Sequence, residues 1–330
     1  MFAKYSKLIQ LLIIMFAVIL VFSLIIPNKF LTLLNFQSMA SIIPEFGILA
    51  IAMTIAIITG GIDLSIVSIA NLCGVIMAII LKRTANLEAI NNVNPEIIII
   101  VAILAGLIIA VLCGFFNGFL ISFFGVPPIL GTLGTQGLFL GIAIILTKGS
   151  GISGFSEKFL LIGGGKISFI PIPFIIFIVV AVISTLFLSK TQLGVSMYMV
   201  GSNSIASRFS GIENNRVILK TYMITGFLSG ISAIIMISRV NSMRPGYGSG
   251  YLLQTILIAA LGGIDFAGGK GKVIGIFMAI VILQTLQSGF NILALSPFFR
   301  NFIWGIMLIF VMAINHFMAV YKRGMVRTKI

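Results

Sequence analysis

The tetrapeptide Gly-Gly-Ile-Asp occurs twice, at residues 60–63 within "TGGIDLS" and at 262–265 within "LGGIDFAGGKGK". Each copy sets a carboxylate beside two glycines in a chain with only 7 acidic residues among 330. A carboxylate in apolar surroundings has three uses. It relays a proton, it meets a partner at a gate, or it accepts hydrogen bonds from the free N–H groups that begin a helix. The spacing favours the third. Gly60 and Gly61 end one apolar run, and Asp63, with Ser65 two residues on, stands where the next begins. Gly262, Gly263 and Asp265 repeat the arrangement, with Gly268 and Gly269 following. An unsatisfied aspartate at the centre of a bilayer costs about 2.5–3.5 kcal/mol, so both carboxylates are expected to cap a helix or to face water at a membrane edge.

A second constellation is "GSNSIASRFSGI" at 201–212. Asn203 or Ser204 suits a helix start and Gly211 the left-handed position after its end. Between them Ile205 and Phe209 share one face at i, i+4, Arg208 takes another, and Ala206 and Ser210 complete two turns. So short a helix needs something to pack on. It is either a peg that enters a groove on another protein or a helix lying on the membrane surface. A third group comprises the polar residues inside apolar runs: Asn71, Asn117, Thr132, Gln136, Gln254, Gln284, Gln287 and Asn291. They either line a path for a polyhydroxylated solute or hold helices together.

Other chemistry is missing. A P-loop needs a hydroxyl residue directly after its lysine, which "GGGKIS" (163–168) and "GGKGKV" (268–273) both lack. His316 is the only histidine, which leaves nothing from which to build a zinc site or a Ser-His-Asp arrangement. No metal and no cofactor is expected.

The elements that must position these residues are membrane helices. The chain is 59% hydrophobic and 8% charged, with mean hydropathy +1.22, against roughly 25% charged in a soluble domain. Apolar runs of about 20 residues match a hydrocarbon core of about 30 Å, and the period-2 alternation of a barrel is absent. The class is an all-α, polytopic transmembrane bundle forming one domain over 1–330. Ten spans fit, near 8–26, 44–59, 64–81, 97–122, 130–146, 172–188, 221–238, 252–262, 273–292 and 302–320; nine with one re-entrant segment also fit. The second and eighth are short, and Glu45, Asp63 and Asp265 all fall near span ends. Residues 82–96 read as a polar loop. The run after Lys4 and Lys7 is too long for a signal peptide and reads as the first span. Cys73 and Cys113 lie in apolar runs as packing residues. The net charge of +14 comes from lysines and arginines flanking the spans, so nucleic acid is not a partner. A small excess of these residues at both ends and in the 189–220 loop puts both termini, and both Gly-Gly-Ile-Asp phrases, on the cytoplasmic side.

Taken in order, several segments resemble one family. They are "GGIDLSIVSIANLCG" (60–74), "PPILGTLGTQGLFLGIAIILTKG" (127–149), "GSNSIASRFSGI" (201–212), "RPGYGSGYLLQTILIAALGGIDFAGGKGKVIG" (244–275) and "LQSGFNIL" (286–293). The family is that of the permease subunits of bacterial ABC importers for monosaccharides, the ribose-permease group. Ile66-Val67-Ser68 replaces the family's usual Val-Gly-Ser, and Gly131 stands where threonine is more usual. The resemblance implies a helical bundle in the bacterial inner membrane, paired with an identical or closely related permease. It also implies a separate cytoplasmic ABC ATPase, an extracytoplasmic sugar-binding protein, and a coupling helix at 201–212 built from Asn203, Ile205, Ala206, Arg208, Phe209, Ser210 and Gly211. Related permeases carry ribose, xylose, galactose, autoinducer sugars, nucleosides and, more distantly, branched-chain amino acids. A self-sufficient ion-coupled carrier and a passive channel are the rival classes.

Overall fold

The computed structural model describes the backbone of residues 2–91 and 94–327 and the side chains of 8–83 and 94–314. Lys4, Lys7, His316 and the basic tail used to orient the chain lie outside the described side chains. The helices run in the order α1 (Phe2–Ile25), α2 (Pro27–Phe30), α3 (Leu33–Ile58), α4 (Ile66–Asn91), α5 (Pro95–Phe123), α6 (Pro128–Thr147), α7 (Glu157–Gly164), α8 (Ile172–Lys190), α9 (Gln192–Ser202), α10 (Ser204–Phe209), α11 (Asn214–Val240), α12 (Tyr251–Gly262), α13 (Val273–Ile292) and α14 (Pro297–Arg327). Two short antiparallel ribbons join Ile152–Ser153 to Ser242–Met243 and Lys166–Ile167 to Ile170–Pro171.

Among the described residues, 9 helices are long and apolar enough to cross a membrane. The 12 residues of α12 reach only about 18 Å at 1.5 Å per residue, short of a crossing of about 30 Å. The second span is not short, which corrects the reading from sequence. α3 has 26 residues and begins at Leu33, where the Thr32 side chain accepts from the Asn35 N–H at 3.2 Å. Ser38 and Ser41 return their hydroxyls to the carbonyls four residues earlier, at 2.8 and 2.9 Å, so a polar stretch carrying Pro44 stays helical. Glu45 consequently sits in the middle of a span and not near its end. α11 likewise begins at Asn214, ahead of the expected 221, and α4 continues as helix to Asn91 through most of the segment read as a polar loop.

α3 forms the axis and is buried continuously from Ile43 to Ile58. It packs on α8, α11, α12 and α13, and α11 in turn packs on α4, α5 and α7. Without a hydrophobic driving force between helices in lipid, close approach depends on small residues. The α5–α11 seam follows this rule: Gly114 lies against the Tyr222 carbonyl, Gly118 against Leu219 and Gly226 against the Ala110 carbonyl. The helices α1, α6 and α14 present exposed apolar side chains such as Leu20, Ile145 and Ile309, the surface that suits lipid.

The seam gives a contrast in sign. Gly226→Ala places a methyl on a backbone carbonyl and is expected to destabilise by about 1–3 kcal/mol. Gly134→Ala, with nothing within 4 Å, gains up to about 1 kcal/mol of helix propensity. Thermal unfolding of the two purified variants in detergent checks both directions.

Candidate functional site

Three chain segments build one end of the bundle. The first is the connector from α3 to α4. Gly60 takes φ +92°, a left-handed conformation open to glycine, and Gly61 returns its N–H to the Ala56 carbonyl at 3.0 Å. Gly61 is buried against the Tyr222 hydroxyl and the Pro128 ring, where a side chain has no room. Asp63 is fully buried. Its Oδ1 accepts from the Ser65 N–H at 3.1 Å and the Ser65 hydroxyl at 2.6 Å, and its Oδ2 accepts from Thr225 of α11 at 2.7 Å. Asn117 of α5 donates to Ser65 Oγ at 2.7 Å, and Thr132 of α6 accepts from the Leu64 N–H at 3.1 Å. The connector is thereby tied to α5, α6 and α11. Burial pushes the Asp63 carboxyl above its ordinary range, opposed by the hydrogen bonds from Ser65 and Thr225.

The second segment is the other Gly-Gly-Ile-Asp. Gly263, at φ +83°, closes α12, and Gly262 packs so tightly on α13 that a side chain there would strike Ile276. Asp265 does not cap the following helix, contrary to expectation. It accepts from the Ala267 N–H at 3.1 Å and pairs with Lys270 at 3.6 Å, while α13 starts only at Val273. The residues between carboxylate and helix fold into a small closed loop, in which Asp265 N–H donates to the Lys270 carbonyl at 3.1 Å. The two aspartates thus differ: one is a buried tie between helices, the other a half-exposed loop residue.

The third segment is the end of α9. The Gly269 N–H donates to the Ile58 carbonyl at 2.8 Å. A side chain at Gly268 would stand 2.6 Å from the Gly201 carbonyl oxygen and 3.0 Å from Gly60 Cα, and one at Gly201 would overlap the Ile58 carbonyl. The neighbourhoods of both phrases therefore converge on Gly201 and Ser202, immediately before α10. In α10 the Asn203 side chain accepts from the Ile205 and Ala206 N–H groups at 3.0 and 2.9 Å, and Gly211 takes φ +81°. Ser207 is its buried foot, bonded to Asn214 at 2.9 Å, and Asn214 donates back to the Ser204 carbonyl at 2.7 Å. Ala206, Arg208 and Ser210 are exposed, and Ile205 and Phe209 are 69% and 90% exposed.

Away from that end, the segment 241–250 turns back into the protein. Asn241, Gly246 and Gly248 all have positive φ, and the buried Asn71 of α4 holds the turn, donating to the Tyr247 carbonyl at 2.6 Å and accepting from the Gly246 N–H at 2.9 Å. This delivers Tyr251, the first residue of α12, to the middle of α3, where its hydroxyl donates to Glu45 Oε2 at 2.6 Å. Glu45 is fully buried and ion-paired with Arg239 Nε of α11, and Ser232 donates to its carbonyl at 2.6 Å.

Comparison with known proteins agrees with this architecture. The family described as branched-chain amino acid transport system / permease component matches residues 34–312. The chain belongs to this permease family. It is 32% identical over 303 residues to the ribose import permease protein of Bacillus subtilis (strain 168), covering 91% of this chain and 90% of that one. It is 30% identical over 309 residues to the ribose import permease protein of Escherichia coli (strain K12), 92% of each chain. It is also 30% identical over 271 residues to the autoinducer 2 import system permease protein of Yersinia enterocolitica, 80% of this chain and 78% of that one. No solved structure matches.

In this permease the polar residues singled out from the sequence have diverse surroundings. Asn71, Asn117 and Thr132 hold the re-entrant turn and the α3–α4 connector. Gln254 and Gln284 are buried, and their Oε1 atoms, like that of Gln136, have no partner among the described residues. Gln287 is half-buried, and Asn291 is exposed and bonded by Arg300. Sequence reasoning missed the Glu45–Arg239 pair because Glu45 was set at a span edge and Arg239 in a loop. The signal was an acid and a base each embedded in apolar sequence, which calls for a partner.

Breaking this pair by Glu45→Ala leaves a desolvated guanidinium and is expected to cost about 3–5 kcal/mol. The double variant Glu45→Met/Arg239→Met removes both charges and is expected to recover most of that loss. Thermal unfolding of the single and double variants measures the difference.

Proposed function

We propose that this permease is the membrane-spanning subunit of an ATP-driven importer that moves a ribose-like monosaccharide, delivered by an extracytoplasmic binding protein, across a bacterial cytoplasmic membrane. The observation that carries the reading is α10: a short, capped helix whose apolar Ile205 and Phe209 are exposed, following directly on the junction of Gly60, Gly201, Gly268 and Gly269. An exposed aromatic at 90% is the anchor that a groove on a partner ATPase would take. The similarity to ribose and autoinducer 2 permeases supports a sugar as cargo.

On this reading the chain forms one transmembrane domain that pairs with a second permease, and its termini and α10 face the cytoplasm. ATP binding closes the ATPase dimer and displaces α10. Because Gly201 and Ser202 contact Ile58, Gly268 and Gly269 directly, the displacement reaches the end of α3 and the α12–α13 loop. The connector then passes it to α5, α6 and α11 through Thr132, Asn117 and Asp63. The driving force is the differential stability of the two states under ATP, with no chemistry in the permease itself.

Phe209→Asp in the complex reconstituted with ATPase and binding protein is expected to lower ATP-dependent ribose uptake about thirtyfold, the equivalent of about 2 kcal/mol for losing an aromatic anchor. Unchanged uptake would remove α10 from coupling. Asp63→Asn separates a tie from a proton relay. Asparagine still accepts from Ser65, so uptake stays within about twofold of wild type if hydrogen bonding is the role; abolished uptake in a correctly folded variant would point to proton transfer instead.

A further inference from the structure

The cluster on Glu45 has more polar capacity than a structural tie uses. The carboxylate is occupied: Oε1 by Arg239 Nε, Oε2 by Tyr251 at 2.6 Å, with the Tyr247 hydroxyl at 3.4 Å. The guanidinium is less so: beyond Nε, the hydrogen bond it makes among the described residues is the long one from Nη2 to the Tyr247 hydroxyl at 3.5 Å. The Arg239 side chain is 27% exposed while the Glu45 side chain is fully buried, so of the pair only the arginine is accessible in part. Tyr247 and Tyr251 flank it as an edge-to-face pair, ring centroids 6.5 Å apart at 87°. Both tyrosines are half-buried.

We propose that Arg239, Tyr247 and Tyr251, assembled on the buried Glu45 carboxylate, form a contact site for a neutral polyhydroxylated solute on the translocation path, far from α10. The proposal rests on the sugar-importer reading above. Three physical points carry it. First, Glu45 already neutralises Arg239, so the site asks for no anion and presents a rigid fork of N–H donors that suits a pair of vicinal hydroxyl oxygens. Second, the tyrosines add apolar ring faces and hydroxyls, the combination that takes one face and one edge of a pyranose or furanose ring. Third, the cluster stands at the other end of α11 from α10: Arg239 lies 25 residues beyond Asn214, roughly 37 Å away at 1.5 Å per residue. The turn 241–250 that carries Tyr247 is irregular backbone held by the ribbon to Ile152–Ser153 and by Asn71, which fixes Tyr247 beside Arg239. The site is built from residues of α11, the turn and α12, so relative movement of these elements on α3 would open or close it, giving the weak and releasable contact that transport needs.

The test uses the permease reconstituted in liposomes with its ATPase and binding protein, and ribose and xylose as probes. Arg239→Lys keeps the charge pair with Glu45 and replaces the fork by a single ammonium. Tyr247→Phe keeps the ring and removes the hydroxyl. Each is expected to lower the sugar moved per ATP hydrolysed about tenfold, roughly the worth of one hydrogen bond, and to change the ratio of ribose to xylose carried. An unchanged ratio in both variants, with uptake either normal or reduced in step with ATP hydrolysis, overturns the site and leaves the cluster a structural tie. If Arg239→Lys does not assemble, Tyr247→Phe decides alone. Failure of the wild-type complex to move any of ribose, xylose or galactose overturns the sugar reading, and the site with it, a result distinct from variants that match an active wild type.

Discussion

The polar groups buried in this bundle are shut off from water, so every peptide or side-chain dipole that leaves a helix there must find its partner in the protein. Much of the architecture answers to that constraint. The connector at 59–65 leaves α3 and enters α4 with its backbone and its one carboxylate satisfied by Ser65, Thr132 and Thr225, each on or beside a different helix. The turn at 241–250 meets the same demand through its ribbon with Ile152–Ser153 and through Asn71, whose amide both donates and accepts. Satisfying these groups requires bringing α4, α5, α6 and α11 close around α3, and the glycines of the α5–α11 seam permit that approach.

Glu45 and Arg239 show the same constraint at higher cost. Neither charge is tolerable alone in an apolar interior, and the attraction between them offsets desolvation only with supporting hydrogen bonds. Tyr251 supplies one to the carboxylate, and the entry of α12 at mid-bundle follows from that contact. A helix of 12 residues that starts beside the centre of α3 is therefore one piece with the buried pair.

What could be read from the sequence was local. Asn203 and Gly211 bracket α10 because capping and left-handed closure depend on neighbours in the chain, and the structure has both in that form. The apolar runs gave the long helices, apart from the start of α3, where serines that satisfy themselves within the helix look like loop residues, the near end of α11 and the far end of α4; the shorter α7 and α9 lie in stretches too polar to mark as spans. The Asp265 loop was misread because identical tetrapeptides do not share surroundings: Asp63 is followed at once by a helix, whereas Asp265 is followed by glycines and Lys270. The pairing of Glu45 with Arg239, 194 residues apart, depends on tertiary packing that no local pattern encodes. The convergence of residues 60, 201 and 268–269 was equally hidden, because contacts made backbone to backbone leave only glycines in the sequence, and glycine has many other uses.

That convergence has a mechanical side. Where side chains mediate a contact, rotamers absorb small displacements, and an imposed shift dies away over a few ångströms. At Gly60, Gly201 and Gly268 there are no rotamers to yield, and main chain bears on main chain as in a butt joint. A shift at Gly201 is absorbed only by moving the ends of α3 and the α12–α13 loop themselves. The joint therefore has little slack, and enlarging any one of its glycines would prop it open as well as weaken it.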